Sequence, residues 1–324
     1  MELTQPFVKL PLQFDVERLQ HELASLDDTQ WMAHPSGLVG NSAIPLIARD
    51  GKDNNEFSGH MQATRHLQRC EYLQQVLASF GEVLGRSRLM KLAAGSEVSR
   101  HVDFNYHWYT RVRIHIPIVT FPEVLFYCGD EQVHMQAGEC WIFDSWRHHN
   151  VINSSDFDRT HLVLDTAGSS RFWGMVRQAQ EEGSDIRQPQ TLPYKPGAKV
   201  DISTERFNSA PVMAPGEMDA LAQGLIADFE ANPANDKRIV LHYKTLLLDL
   251  CKDWREVWLL HGYHKSGWPL YQSVLETAKS KMHPEMRALV TNSNKLGVNP
   301  IIMQRILRAA LNKELSDDFL NQGD

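Results

Sequence analysis

Arg111-Val112-Arg113-Ile114-His115-Ile116-Pro117-Ile118 alternates strictly, with Val112, Ile114, Ile116 and Ile118 on one face of an extended chain and Arg111, Arg113 and His115 on the other. A period of two predicts a strand over 111–119 that buries its apolar face. Similar runs recur between turn signals at 89–92, 124–127, 132–135, 140–143, 150–153 and 160–165. Short strands at this spacing predict a β-sandwich or barrel. Upstream, the pattern predicts a strand over 7–12, amphipathic helices over 16–26 and 71–80, the second closed by Gly81, and a turn around Asp50-Gly51-Lys52-Asp53-Asn54-Asn55. After Asp165 the β signal stops. Residues 183–215 are rich in Pro, Gly, Ser and Gln and read as a linker or covering segment. Beyond them Val240, Leu247, Cys251, Trp254 and Trp258 recur at helical spacing. The expected division is a supporting region over 1–85, a β core over 86–170, a linker over 171–215 and an α-helical domain over 216–324.

At 324 residues, 42% hydrophobic and 23% charged, the chain can bury a proper core. A net charge of −7 lacks the basic footprint of a nucleic-acid binder. Cys70, Cys128, Cys140 and Cys251 form neither a CxxC pair nor a regular framework, which points to a reducing compartment. With no charged segment leading into an apolar run at the N-terminus and no stretch long enough to cross a bilayer, the expectation is a cytoplasmic protein without a membrane partner.

His101-Val102-Asp103 places two ligand-type side chains at i and i+2, on one face of an extended segment. Alone, the tripeptide is weak evidence of a site in a chain with 15 histidines. A third ligand has to come from another strand, and both His148 and His149 are candidates. A hairpin turn centred near Ser154 would set His149 directly across from Arg159; a one-residue slip would substitute His148 or Thr160. Two histidines and one carboxylate suit a non-haem iron(II) site with open positions, and a neighbouring arginine suits the far carboxylate of 2-oxoglutarate. Arg111, Arg113, Arg147 and Arg159, gathered around one site of a net-acidic protein, would suit carboxylate ligands. Asn105, Arg111, Trp146 and Arg147 are the candidate substrate contacts. Most aromatic residues nearby, and His134, His161, His242, His261 and His264, read as structural or exposed.

The ordered set His101-x-Asp103, Arg113-Ile114-His115, Gly138-Glu139-Cys140-Trp141-Ile142-Phe143-Asp144, His149 and Arg159 resembles the aspartyl/asparaginyl β-hydroxylase superfamily, and within it the bacterial branch that includes the L-proline cis-hydroxylases. The resemblance covers about residues 86–167. It implies a double-stranded β-helix (a jelly-roll, cupin-like core) followed by the helical domain, with Fe(II), 2-oxoglutarate and O2 as cofactor and cosubstrates. It also implies His101, Asp103 and His149 as metal ligands, which favours His149 over His148. Arg159 would bind the 2-oxoglutarate carboxylate, and Arg113 and His115 would line its pocket. The implied reaction is hydroxylation of an amino acid or amino-acid residue bearing a carboxylate, with succinate and CO2 released. The helical tail is a candidate lid or homodimer surface. Two other readings share the barrel: a cupin-type metal enzyme that does not use 2-oxoglutarate, and a non-catalytic barrel that binds a small molecule.

Overall fold

A computed structural model describes residues 3–34, 37, 39–181, 189, 191–285 and 287–315. In chain order its elements are β1 (Phe7–Phe14), α1 (Val16–Ala24), β2 (Met32–Ala33), β3 (Asn41–Arg49), β4 (Met61–Ala63), α2 (Glu71–Ser79), β5 (Leu84–Leu92), β6 (Glu97–His101), α3 (Tyr106–Thr110), β7 (Val112–Val119), β8 (Val124–Cys128), β9 (Glu131–Val133), β10 (Glu139–Phe143), β11 (His149–Asn153), β12 (Arg159–Thr166), α4 (Ser170–Gln180) and β13 (Thr191–Leu192). There follow α5 (Pro215–Glu230), α6 (Lys237–His261), α7 (Trp268–Ser280) and α8 (Val298–Ile301), then a π-helical stretch Ile302–Leu307 and α9 (Arg308–Ala310). No helix among the described residues is long and apolar enough to cross a membrane.

The strands form two sheets, one ordered β13-β1-β10-β7-β12-β5-β3-β2 with β4 beside β3, the other β6-β11-β8-β9. From β5 to β12 the chain changes sheet repeatedly: β5, β7, β10 and β12 lie in the large sheet, and β6, β8, β9 and β11 in the small one. Antiparallel strands wound in that order make a double-stranded β-helix, as the resemblance implies. The alternation in β7 works as expected: Val112, Ile114, Ile116 and Ile118 join a core with residues of α1, α2 and α4 on one side of the large sheet. A second core, which includes Phe7, Leu92, Val124, Phe126, Phe143 and Val151, fills the space between the sheets.

The hairpin expected between His149 and Arg159 does not form. β11 pairs with β6 and β8, whereas β12 pairs with β5 and β7, so the connection around Ser154 passes from one sheet to the other. Asn153 fixes this crossing from a fully buried position. Its amide donates to the carbonyls of Leu92, Ala93 and Phe157, and its Oδ1 accepts from the Ser155 backbone and hydroxyl.

β3 and β6 lie outside the strands expected from sequence. β3 carries Pro45 inside a nearly continuous apolar run; the proline is tolerated beside a register shift, and burial on both faces removes the alternation. β6 is a largely polar strand at the edge of the small sheet. Around the large sheet, Glu22 of α1 accepts from the backbone N–H groups of Tyr72 and Leu73, satisfying donors at the start of α2. Gly81 takes φ +59° just beyond α2. Part of the predicted linker lies outside the described residues; its remainder includes β13, which pairs in parallel with β1, and Lys195, whose backbone exchanges hydrogen bonds with the Gln75 side chain.

The chain divides into two units, residues 1–103 with 110–208, and residues 104–109 with 209–324. The second unit is helical, as the spacing predicts, with Phe229, Tyr243, Leu247, Trp254, Tyr271 and Ile302 buried. Within it, Arg305 Nε donates to Phe104 O at 3.1 Å and Tyr106 hydrogen-bonds Glu217. The short segment after Asp103 is thus held by the helices.

Asn153→Ala is expected to lower stability by about 2–4 kcal/mol, because the buried Leu92 carbonyl and two part-buried carbonyls lose their donor. Denaturant unfolding measures this, and a loss below about 0.5 kcal/mol would show that the crossing is held by other contacts.

Candidate metal and anion site

His101 ends the edge strand β6 and His149 begins β11, and the two are cross-strand partners with ring centroids 4.2 Å apart. Asp103 lies two residues after His101, anchored by its backbone N–H to Ser145 O at 3.0 Å. One ligand atom from each of the three lies within 4.8 Å of the others, with Asp103 3.9 Å from Nε2 of both histidines. Each histidine directs Nδ1 at a backbone carbonyl, His101 at Ser99 O (2.7 Å) and His149 at Arg147 O (2.9 Å). Nδ1–H therefore donates to the main chain and the Nε2 lone pairs face Asp103, the tautomer that metal-binding histidines use. Buried His149 Nε2 and Asp103 Oδ2 have no hydrogen-bond partner among the described residues. Burial pushes the His149 pKa down to about 4 despite the nearby Asp103, so the ring is neutral and able to ligate at pH 7. The donor set, its tautomers and its unsatisfied atoms fit a divalent ion.

Arg159 opens β12 on its inward face, 5% exposed. It has no ion-pair partner among the described residues, and its Nε has no acceptor. Burial pushes its pKa down to about 10, so it stays charged at pH 7. A charged group so placed costs several kcal/mol unless an anion meets it. Thr120, Val124, Phe126, Met135, Val151 and His161 line a narrow cavity with Arg159. His161, read from sequence as structural or exposed, is buried here, with Nδ1 3.4 Å from Nδ1 of His115. Burial first, then the neighbouring arginines, hold both imidazoles far below the usual histidine range and hence neutral. Phe126 and Phe143 pack on His115 and on His149, linking the Arg159 cavity to the His149 ring by contact.

The remaining expected residues are dispersed. Arg113 bridges towards Asp103 (3.9 Å) and Asp165 (3.7 Å). Arg111 is engaged elsewhere: its Nε donates to Glu205 at 2.7 Å and its other nitrogens reach Thr110 and Asn208. Arg147 is bound to Asp144 at 2.9 Å, and Trp146 is buried in the same turn, where its backbone N–H also meets Asp144. Asn105 belongs to the helical unit, where its side chain accepts from the Trp108 backbone at the start of α3. Unforeseen were Arg86 and Arg88, buried on β5, and Asp165 on β12. The parity that places Arg159 inward also carries His161 and Asp165 inward, and the same rule applied to Arg86-Ser87-Arg88 would have found the pair.

Residues 20–168 match the family described as Aspartyl/Asparaginyl beta-hydroxylase. Two curated Streptomyces proteins are similar: L-proline cis-3-hydroxylase 1, 28% identical over 175 residues (50% of this chain, 60% of that enzyme), and L-proline cis-3-hydroxylase 2, 23% identical over 195 residues (59% and 62%). The matched region thus spans about three fifths of each relative's length. A solved 2OG-Fe(II) oxygenase family oxidoreductase from Burkholderia pseudomallei aligns over 50% of this chain and 85% of its own, at 15% identity and a TM-score of 0.37.

Anaerobic calorimetric titration with Mn(II) or Fe(II) is expected to show a saturable site that Asp103→Ala and His149→Ala each weaken by more than ~100-fold. Unaltered affinity in both would place the ion elsewhere. Arg111→Ala should instead destabilise the fold by about 3–5 kcal/mol, the usual cost of orphaning a buried ion-pair partner, and leave metal affinity unchanged. A loss of metal affinity without loss of stability would return Arg111 to the site.

Proposed function

We propose, on the premise that residues 20–168 belong to the aspartyl/asparaginyl β-hydroxylase family, that this chain is an Fe(II)- and 2-oxoglutarate-dependent dioxygenase that hydroxylates a small amino acid. The observation that carries the proposal is Arg159: a buried guanidinium with no ion-pair partner among the described residues, in the same chain unit as the cluster His101, Asp103 and His149, where Asp103 Oδ2 and His149 Nε2 are unsatisfied among the described residues. The names of the two Streptomyces relatives support an amino acid as the substrate.

His101, Asp103 and His149 would hold the iron and leave its other positions open to ligands. When bound, iron with 2-oxoglutarate supplies oxidation by O2: one oxygen atom enters succinate as CO2 leaves, the other is inserted into a substrate C–H bond. Arg159 would pair with the carboxylate of 2-oxoglutarate farthest from the metal. Neutral His115 and His161 add no competing charge, and their unsatisfied Nε2 atoms can hydrogen-bond a polar ligand. Phe126, Phe143 and Val151 wall the space with apolar surface, which keeps water out and strengthens the ion pair at Arg159.

A cupin-type metal enzyme without 2-oxoglutarate has no need of a buried, uncompensated cation beside the ligand set, and the two readings separate at that residue. Wild-type protein given Fe(II) and 2-oxoglutarate without oxygen should develop the weak visible charge-transfer absorption of the chelate. Arg159→Ala should raise the Kd for 2-oxoglutarate by about 30-fold or more, the loss typical of removing one partner of a buried charge pair. Folded wild-type protein that develops no such band would overturn the proposal.

A further inference from the structure

We propose that Arg86 and Arg88 dock the carboxylate of the molecule to be hydroxylated, which makes the substrate an amino acid with a free α-carboxylate rather than a residue in the interior of a peptide. The proposal rests on the Fe(II)/2-oxoglutarate reading and adds to it a second anion site.

Sheet register locates that site. Arg88 pairs with Val163 of β12, and Val163 in turn with His115 of β7, so Arg88 lies in the row next to Asp165 and Arg113. Arg159 pairs with Leu92, four positions along β5 from Arg88, which is about 13 Å at ~3.3 Å per residue. The two guanidinium groups thus start from widely separated points of the sheet. The interior therefore has two cationic ends, and Arg113 connects the Arg86–Arg88 end to the metal-ligand set through Asp103.

Charge within this end is unbalanced. Arg86 and Arg88 are each 3% exposed. Asp165 lies 3.7 Å from both Arg86 and Arg113, Asp103 is a member of the metal set, and Glu205 holds Arg111. For Arg88 no carboxylate lies within 4.0 Å among the described residues, and its hydrogen bond is to Asn55 Oδ1 at 3.3 Å. The loop that supplies Asn55 also covers Arg86, with Asn55 O accepting from Nη1 at 3.1 Å and the Phe57 ring stacked 3.9 Å from the guanidinium. Two inward guanidinium forks two residues apart, with Asp165 shared between Arg86 and Arg113 and no carboxylate within 4.0 Å of Arg88 among the described residues, suit capture of a further carboxylate.

The probes are the twenty standard L-amino acids, L-proline among them, each with its carboxamide, titrated calorimetrically into Mn(II)-loaded protein with and without 2-oxoglutarate. At least one acid should bind wild type about 30-fold or more tighter than its amide. Arg88→Gln should erase that preference and leave the Kd of 2-oxoglutarate unchanged, which also establishes that the variant is folded; Arg88→Lys should recover part of it. The proposal is overturned if no acid binds, if amides bind as well as acids, or if Arg88→Gln keeps the preference. Failure of 2-oxoglutarate to bind wild type, with acid-selective binding intact, would overturn the cosubstrate reading instead.

Discussion

Charge enclosed between two β-sheets is the constraint on which the β-sheet unit depends. Arg86, Arg88, Arg113, Arg159 and Asp165 all sit on inward-facing positions of strands whose outward faces are apolar. A guanidinium keeps its proton at neutral pH, so such a group must be offset by an anion or by dense hydrogen bonding. The chain offsets some of its own: Asp165 serves two arginines and Glu205 a third. Arg159 and Arg88 have no carboxylate within ion-pair distance among the described residues, and the functional reading rests on this contrast between satisfied and unsatisfied cations.

The double-stranded β-helix makes such an interior possible. Because the chain crosses between sheets from β11 to β12, residues close in sequence are carried to opposite walls: His149 begins a strand of the small sheet and Arg159 a strand of the large one. A hairpin would have pressed those two side chains together. In the observed topology the two residues belong to different sheets.

Much of this was legible in the sequence, and the failures have physical causes. The alternation of Arg111–Ile118 gave the orientation of β7, and His101-x-Asp103 with His149 named three residues that the structure gathers into one cluster. The pairing of His149 with Arg159 was misjudged because sequence spacing measures a loop's length, not which sheet receives the next strand. Arg86 and Arg88 were overlooked because alternation in β5 joins cations with small or apolar residues, a pattern that hydrophobic periodicity does not register. Arg111 and Arg147 looked like ligand-binding residues since a basic side chain near a site gives no sign of its partner. Glu205, distant in sequence, and Asp144, in a turn, had already taken them.

The three candidate ligands differ greatly in their exposure to solvent: the side chain of His101 is 39% exposed, that of Asp103 12% and that of His149 3%. His101 also belongs to an edge strand with a single neighbour, where local opening is least costly. An ion held by this set would have one swinging ligand and two fixed ones. Loading and loss of metal would then proceed through His101, and fraying of β6, rather than unfolding of the β-helix, would set how fast the site exchanges its ion.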